Sequence, residues 1–385
     1  MQKNNQKIPE GWSVKKLGDI ATKISRKNTV QNTNVVTISA QKGFINQEQF
    51  FNKSVAGENL STYYLLERGD FGYNRSYSKG YPTGAIKRLD NYDYAIASTL
   101  YICFTLKDKV DSNYVLQYFE AGLQNIELYK IVQEGARNHG LLNIAISDFF
   151  NIKLVLPPLA EQEKIADILG TWDEAIEKLS NLIEQKKLLK KGLMQKLLTG
   201  KTRLPTFTQP WKEVKLGEIA DLYQPQTISQ EMLVDSGYPV YGANGFIGYF
   251  SECNHKTWQI MVTCRGSTCG TVNRTKGPSW ITGNAMVINC DNHDICKTFL
   301  YYKLLTERFS SVISGSGQPQ IVRSPLLKWK ICVPSDISEQ QAIADVLSTA
   351  DDEINLLDQK LEALKTQKKG LMQRLLTGQI RVKVN

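Results

Sequence analysis

With 385 residues, 42% of them apolar and 22% charged, the chain has core-forming material for about two domains. That excludes a disordered or collagen-like polymer, and no apolar run reaches the roughly eighteen residues that a membrane span needs. The net charge of +9 is unevenly placed: residues 1–150 carry 18 basic and 14 acidic side chains and 201–335 carry 14 and 9, whereas 151–200 (8 and 7) and 336–385 (7 and 8) are nearly neutral. Two separated basic blocks suit a polyanion touched at two places, although ordinary solubility charge gives the same surplus. The opening MQKNNQKIPEGW has no apolar stretch, so no secretory leader is expected and the expected compartment is the cytoplasm. Seven cysteines without a C-x-x-C pair, beside only three histidines (His139, His255, His293), predict buried reduced thiols and no metal site.

In chain order, Trp12 opens a first block with WSVKKLGDIA. Residues 35–40 (VVTISA), 71–75, 83–89 (TGAIKRL) and 94–106 (YAIASTLYICFTL) have the texture of strands. Residues 112–134 read as a helix with Val115, Tyr118, Phe119, Leu123 and Ile126 on one face. Pro157-Pro158 then precede a periodic segment that stops at Gly200. Trp211 opens a second block with WKEVKLGEIA. Its predicted strands are 238–250, 259–266 and 285–290, and 295–313 is the matching helix. Pro334, and Ser338 as a candidate N-cap, precede a second periodic segment that stops at Gly378.

The periodic segments are a repeat. The forty residues from Glu161 and the forty from Glu339 align without a gap at an offset of 178, with about 22 positions identical, including all of Lys190–Gln195 and Lys368–Gln373. The two openings share Trp12/Trp211, Lys16/Lys215, Leu17-Gly18/Leu216-Gly217, Ile20/Ile219 and Ala21/Ala220, and between these anchors the halves diverge. Ile165, Leu169, Ile176, Leu179, Ile183 and Leu193 in the first segment fall on one heptad seam. Ile343, Leu347, Ile354, Leu357, Leu361 and Leu371 do so in the second. Three lysines, Lys186, Lys190 and Lys368, interrupt these seams, and the Lys186–Lys191 cluster reads as a solvated face. Ile165 to Leu197 is 33 residues, about 50 Å of helix at ~1.5 Å per residue.

A single such helix cannot bury its stripe, and two per chain can pair with each other. The alternative is a parallel homodimer. The expected fold is therefore α+β: two mixed α/β domains separated by a long antiparallel two-helix coiled coil, pseudo-two-fold symmetric, with one domain at each end. The expected domains are 1–156, a helical arm 157–202, 203–333 and a second arm 334–385.

The loops of the variable domains mix aromatic, amide and basic residues. Arginine pairs bidentately with guanine and Asn or Gln with adenine, while Ser, Thr and Lys hold phosphates. The DNA-binding candidates in the first domain are Tyr73, Asn74, Arg75, Ser76, Tyr77, Lys79, Lys87 and Arg88. In the second they are Asn244, Arg265, Ser267, Thr268, Asn273, Arg274, Lys276, Gln318, Gln320 and Arg323. Catalytic chemistry is not found. Gly200-Lys201-Thr202 lacks the earlier glycine of a phosphate loop, since Gln195 stands there. H-E-x-x-H, G-x-S-x-G, G-x-G-x-x-G after a strand, and the Asn/Asp-Pro-Pro-aromatic motif of amino-methyltransferases do not occur. Glu184-Gln185-Lys186 has nuclease-like spacing but lies in an arm, where it reads as a surface pair.

The Trp-x₄-Leu-Gly openings, the Glu-Gln-x-x-Ile-Ala-x-x-Leu entries at Glu161 and Glu339 and the Lys-Lys-Gly-Leu-Met-Gln-x-Leu-Leu-Thr-Gly exits resemble the specificity (S) subunit of type I restriction–modification enzymes over essentially the whole chain. The resemblance implies two target-recognition domains, each reading one half of a bipartite, asymmetric double-stranded DNA site, with the paired helices setting the spacer. It implies two methylation (M) subunits and restriction/translocation (R) subunits as partners and no membrane. It implies no catalysis or cofactor in this chain, with S-adenosylmethionine, ATP and Mg2+ on the partners. The assembled enzyme would be an adenine-specific DNA methyltransferase and ATP-dependent endonuclease that defends against foreign DNA. The recognition chain of a type IIB-like restriction–methylation enzyme is the alternative. The matching motifs are scaffold motifs, so no base-contacting residue carries over.

Overall fold

A computed structural model describes residues 8–52, 57, 59–134, 142–283, 285–315 and 317–384. The chain forms two compact units: Met1–Leu179 together with Lys360–Asn385, and Ser180–Gln359.

The first unit has two four-stranded sheets. One runs Ala21–Lys23, Ile102–Leu106, Phe71–Asn74, Ala85–Arg88 and is antiparallel throughout. The other runs Gly43–Asn46, Val35–Ser39, Tyr94–Ala97, Tyr64–Glu67, and its central pair is parallel, with Val35 opposite Ile96. The sheets meet at Gly72, where an added Cβ would lie 2.6 Å from both Ile38 and Phe44. Phe71, Phe104, Phe119 and Phe149 pack as an aromatic core between the first sheet and its helices. The predicted strand 94–106 is in fact two strands, one in each sheet, parted by a turn at Ser98–Tyr101. The predicted helix 112–134 is also two, Ser112–Glu120 and Asn125–Ile131, because Gly122 takes a left-handed φ of +71°. Val115, Tyr118 and Phe119 are buried as expected, but beyond the break Ile126 turns outward, 64% exposed.

The second unit repeats this plan with different loops. Its four-stranded sheet runs Asp221–Tyr223, Ala285–Asn289, Ile260–Thr263, Val272–Arg274. Its other sheet runs Gly245–Phe250, Tyr238–Gly242, Trp280–Ile281, and Val240 is opposite Trp280 in the parallel pair. The predicted strand 238–250 is a hairpin turning at Ala243-Asn244, and the helix is Lys297–Thr306, shorter than expected.

The repeated openings now have a reason. Strand Ser13–Lys16 pairs with Lys153–Leu156, and Trp211–Lys215 pairs with Lys330–Pro334, so each opening is stitched to the strand that leads into a long helix. The Leu-Gly pair begins a one-turn helix with Leu17 or Leu216 buried. Its glycine permits close approach to the next helix: a Cβ at Gly217 would meet Leu327 at 2.7 Å, and one at Gly18 would lie 3.3 Å from the Phe150 carbonyl.

The long helices are Leu159–Leu197 and Ile337–Leu375, 39 residues each. The second starts one residue before the predicted cap, since Asp336 rather than Ser338 takes an N–H, that of Ser338, at 2.8 Å. The first unit holds the start of the first helix and the end of the second, so Ile165 and Leu169 are buried with Met372, Leu375 and Leu376. The second unit holds the other two halves, with Leu197 and Leu198 buried with Ile343, Ala344 and Leu347. Among the remaining seam positions Leu179, Ile183, Ile354 and Leu361 are buried, and Ile176, Leu193, Leu357 and Leu371 are half-buried. Within each unit the helix halves run in opposite chain directions. Glu161 and Asp173 meet Arg381 and Lys368 in one, and Lys186 and Lys190 meet Glu353 and Asp351 in the other.

Candidate nucleic-acid interface

Buried thiols are a minor feature of both units: burial pushes Cys103 up to about 12, with Asp70 adding, and Cys290 up to about 11, which keeps both protonated at neutral pH.

The candidate reading residues separate into those used internally and those presented. Tyr73 is core: it is fully buried, stacks on Phe149 at 4.8 Å and donates its hydroxyl to the Thr83 carbonyl at 2.6 Å. Lys87 is buried too. Its ammonium pairs with Glu120 at 2.6 Å and donates to the Tyr81 hydroxyl at 2.8 Å, so it has no charge left for a phosphate. Arg88 is held by Asp90, Ser112 and Asn113. Asn74 donates to the Ile38 carbonyl and accepts from the Ser76 N–H, which shapes the loop. Arg75, Ser76 and Lys79 line a cleft beside it, and Tyr77 is 63% exposed.

In the second unit Asn273 is half-buried and donates to the Ala243 carbonyl, and the Arg274 guanidinium lies over the Tyr301 ring at 5.0 Å. Asn244, Arg265 and Gln318 line one cleft. Thr268 donates to Asn244 Oδ1 at 2.8 Å, while Ser267, Lys276, Gln320 and Arg323 are exposed outside that cleft.

A second set of functional residues holds the domains to the helices, and only the repeat could have revealed it. Glu161, at the start of the first helix, is buried and receives Arg381 Nε at 2.7 Å, Arg381 Nη2 at 2.8 Å and Trp12 Nε1 at 3.2 Å. Glu339 receives Arg203 at 2.5 and 2.7 Å and Trp211 Nε1 at 3.4 Å. These are the same three residue types, with glutamates and arginines each 178 apart. The adjacent glutamines also match. Gln162 accepts from the Asp111 N–H and donates to the Pro157 carbonyl, and Gln340 does the same with Cys296 and Pro334. Each glutamine therefore fixes the N-cap residue of its unit's sheet-covering helix.

The seam lysines have partners rather than forming a solvated face. Lys368 pairs with Asp173 at 2.5 Å, Lys186 with Glu353 at 2.6 Å, and Lys190 with Asp351. In the repeat Lys186–Glu353 corresponds to Leu364 and Ala175, so that bridge belongs to the second unit alone.

Two mixed α/β domains threaded by duplicated helices, with exposed arginine, lysine and amide side chains on their loops, have the make-up of a recognition protein for nucleic acid. Residues 9–185 and 208–366 both match the type I restriction modification DNA specificity domain, and the chain belongs to that family, with two target-recognition domains. The type I restriction enzyme MjaVIII specificity subunit of Methanocaldococcus jannaschii is 28% identical over 285 residues, 63% of this chain and just under two thirds, 66%, of that relative. The putative type I restriction enzyme MjaX specificity subunit of the same organism is 25% identical over 413 residues, 98% of this chain and 95% of its own. The crystal structure of a type I restriction-modification S subunit from M. genitalium has the same fold, with a TM-score of 0.64 at 18% identity over 97% of this chain and 98% of that one.

Proposed function

We propose that this chain is the non-catalytic specificity subunit of a type I restriction–modification system. Each recognition domain reads one half of a bipartite, asymmetric DNA site. The long helices pair as an antiparallel, pseudo-two-fold coiled coil whose length fixes the number of unread base pairs, and methylation and restriction subunits are recruited to this frame. S-adenosylmethionine, ATP and Mg2+ belong to those partners. The reading is carried by one observation: each compact unit holds one recognition domain, the start of one repeated helix and the end of the other, with the same Glu–Arg–Trp junction in both. A frame duplicated down to its junctions, bearing loops that are not duplicated, suits one spacing task and two reading tasks.

The test is a matched deletion of residues 178–184 and 356–362, with the methylated sites of the assembled enzyme as readout. Seven residues are about 10 Å of helix at ~1.5 Å each, or roughly three base pairs at ~3.4 Å. The spacer should shorten by about that much while both half-sites persist. Altered half-sites at constant spacing would refute the ruler.

A further inference from the structure

We infer that each unit reads bases through one cleft built around the same three pieces of the fold. In the second unit Arg265, Asn244 and Gln318 set the sequence read, and in the first Arg75, Gln41 and Lys79 do so. The inference rests on the DNA-binding reading above and assigns its reading surface.

In the first unit a cleft of about 490 Å³ is bounded by three elements: the turn after strand Val35–Ser39, the segment leaving strand Phe71–Asn74, and the turn that leads into Ile102–Leu106. In the second unit a cleft of about 720 Å³ is bounded by the turn after Tyr238–Gly242, the segment leaving Ile260–Thr263, and the turn that leads into Ala285–Asn289, with residues 227–233 and Gln318 closing its remaining sides. Strand registers make these elements equivalent. Tyr73 pairs with Ile102 as Val262 pairs with Met286, and the chain then makes the same cross-link, Leu142 N–H to the Arg75 carbonyl and Ile321 N–H to the Cys264 carbonyl. Each rim carries an arginine and an amide, but Arg75 stands two residues after Tyr73 and Arg265 three after its counterpart Val262, and Lys79 has no basic counterpart lining the second cleft. A kept location with shifted and changed side chains is what a reading surface with two different targets requires.

The side chains suit base edges. Arg265 is exposed, and its guanidinium has no hydrogen-bond or ion-pair partner among the described residues. Its backbone is anchored on both sides by the Ile321–Cys264 and Gly266–Pro319 hydrogen bonds, so a rigid stem carries a free fork. That is the group that reads guanine O6 and N7 bidentately. Asn244 is exposed and oriented by Thr268, and Gln318 is a second amide on the same cleft, the residue type that reads adenine. In the first unit the half-buried Arg75 lines the cleft and gives one N–H to the Leu100 carbonyl at 2.9 Å, and its Nε is buried without a partner, so only the outer nitrogens of the fork can reach a base edge. Gln41 donates to the Lys79 carbonyl at 3.0 Å and so ties two rims of the cleft together.

The experiment selects duplexes from a doubly randomised double-stranded DNA pool with the full-length chain co-expressed with its methylation subunits. Wild type should enrich a bipartite motif. R265A and the charge-keeping R265K should each lose base preference about tenfold or more at one or two adjacent positions of one half-site. R75A and R75K should do the same in the other half-site. K256A, an exposed lysine of the second unit that does not line the cleft, should keep the wild-type motif. Unchanged motifs in R265K and R75K, or both variants altering the same half-site, would overturn the assignment. Enrichment of no motif by wild type would instead bring down the DNA-binding reading and the assignment with it.

Discussion

Asp173 is paired with Lys368 at 2.5 Å and accepts a hydrogen bond from Gln117 at 2.6 Å; 178 residues later Asp351 is paired with Lys190 and accepts from the Tyr302 hydroxyl at 2.6 Å. In each unit one carboxylate therefore joins both long helices and the helix that covers the sheet. The chemistry is the same but the setting is not. Asp173 is 49% exposed and Asp351 23%, and burial together with Asp351 pushes the Tyr302 hydroxyl well above the usual phenol range.

Removing the lysine should therefore cost more in the second unit. K190M leaves a mostly buried carboxylate that keeps its hydrogen bond from Tyr302 but loses its counter-charge, and is expected to destabilise by about 2 kcal/mol. K368M leaves Asp173 open to water and should cost less than about 1 kcal/mol. Amide hydrogen exchange in Lys297–Thr306 and Ser112–Glu120 separates the two. Equal loss in both variants would show that burial does not set the difference.

The Glu–Arg–Trp junctions make a second pair of tests. Glu339 is fully buried, so R203A strands a carboxylate without its bidentate partner and should cost about 3 kcal/mol in urea unfolding. The double variant E339Q/R203M removes the charge with its partner and should recover much of that loss. R381A should act in the same direction on Glu161 but more weakly, because Arg381 is more open to solvent than Arg203. A double variant no more stable than R203A would mean that the charge is not what matters.

The frame was legible because repetition and period leave marks in one dimension. The two helices and the Trp-x₄-Leu-Gly openings lie where spacing places them, and the seam residues Ile165, Leu169, Ile343 and Leu347 are buried. The run 94–106 hid a change of sheet because both strands are mostly buried apolar segments and the turn Ser98–Tyr101 that parts them has only two polar residues, Ser98 and Thr99, with Leu100 and Tyr101 continuing the apolar run. Lys87 and Arg88 look like surface cations locally. Their partners Glu120, Ser112 and Asn113 come from a helix over twenty residues away, and local pattern does not report such pairings. Arg203 and Arg381 were readable, since the repeat continues three residues beyond Gly200 and Gly378 to the same residue type.

Gly72 tests how the first unit's sheets close on each other. A methyl there meets the side chains of Ile38 and Phe44 at 2.6 Å, so both must shift and the sheets separate slightly. G72A should cost about 1–3 kcal/mol by overpacking. G43A is a poor comparison because Gly43 has a φ of +70°, whereas G192A in a long helix meets nothing within 4 Å and should stabilise slightly. Thermal melting that ranks G72A with G192A would contradict the tight contact.

His255 gives the second unit a pH signature whose sign can be worked out. Asn254 is oriented by Ile281, donating to its carbonyl at 2.9 Å and accepting from its N–H at 2.8 Å, so Oδ1 faces His255 Nδ1 at 2.6 Å. Nδ1 must then carry the proton, and Nε2 accepts from the Tyr223 hydroxyl at 2.8 Å. The neutral ring is fully satisfied, and a second proton on Nε2 would force the Tyr223 hydroxyl to give up its donor role and accept instead. Burial lowers the His255 pKa below its ordinary 6.5; the Asp291 carboxylate opposes this and Lys297 reinforces it. The unfolded chain thus takes up the proton at a higher pH than the folded one. The stability contributed by neutral His255 is complete above about pH 6.5 and is lost as pH falls from there through the folded value, with a slope of at most about 1.4 kcal/mol per pH unit. Unfolding free energies of wild type and H255Q, measured from pH 8 to 5, should differ by a constant above about pH 7 and converge below it. A difference that widens on acidification would mean that the imidazole is charged in the folded unit.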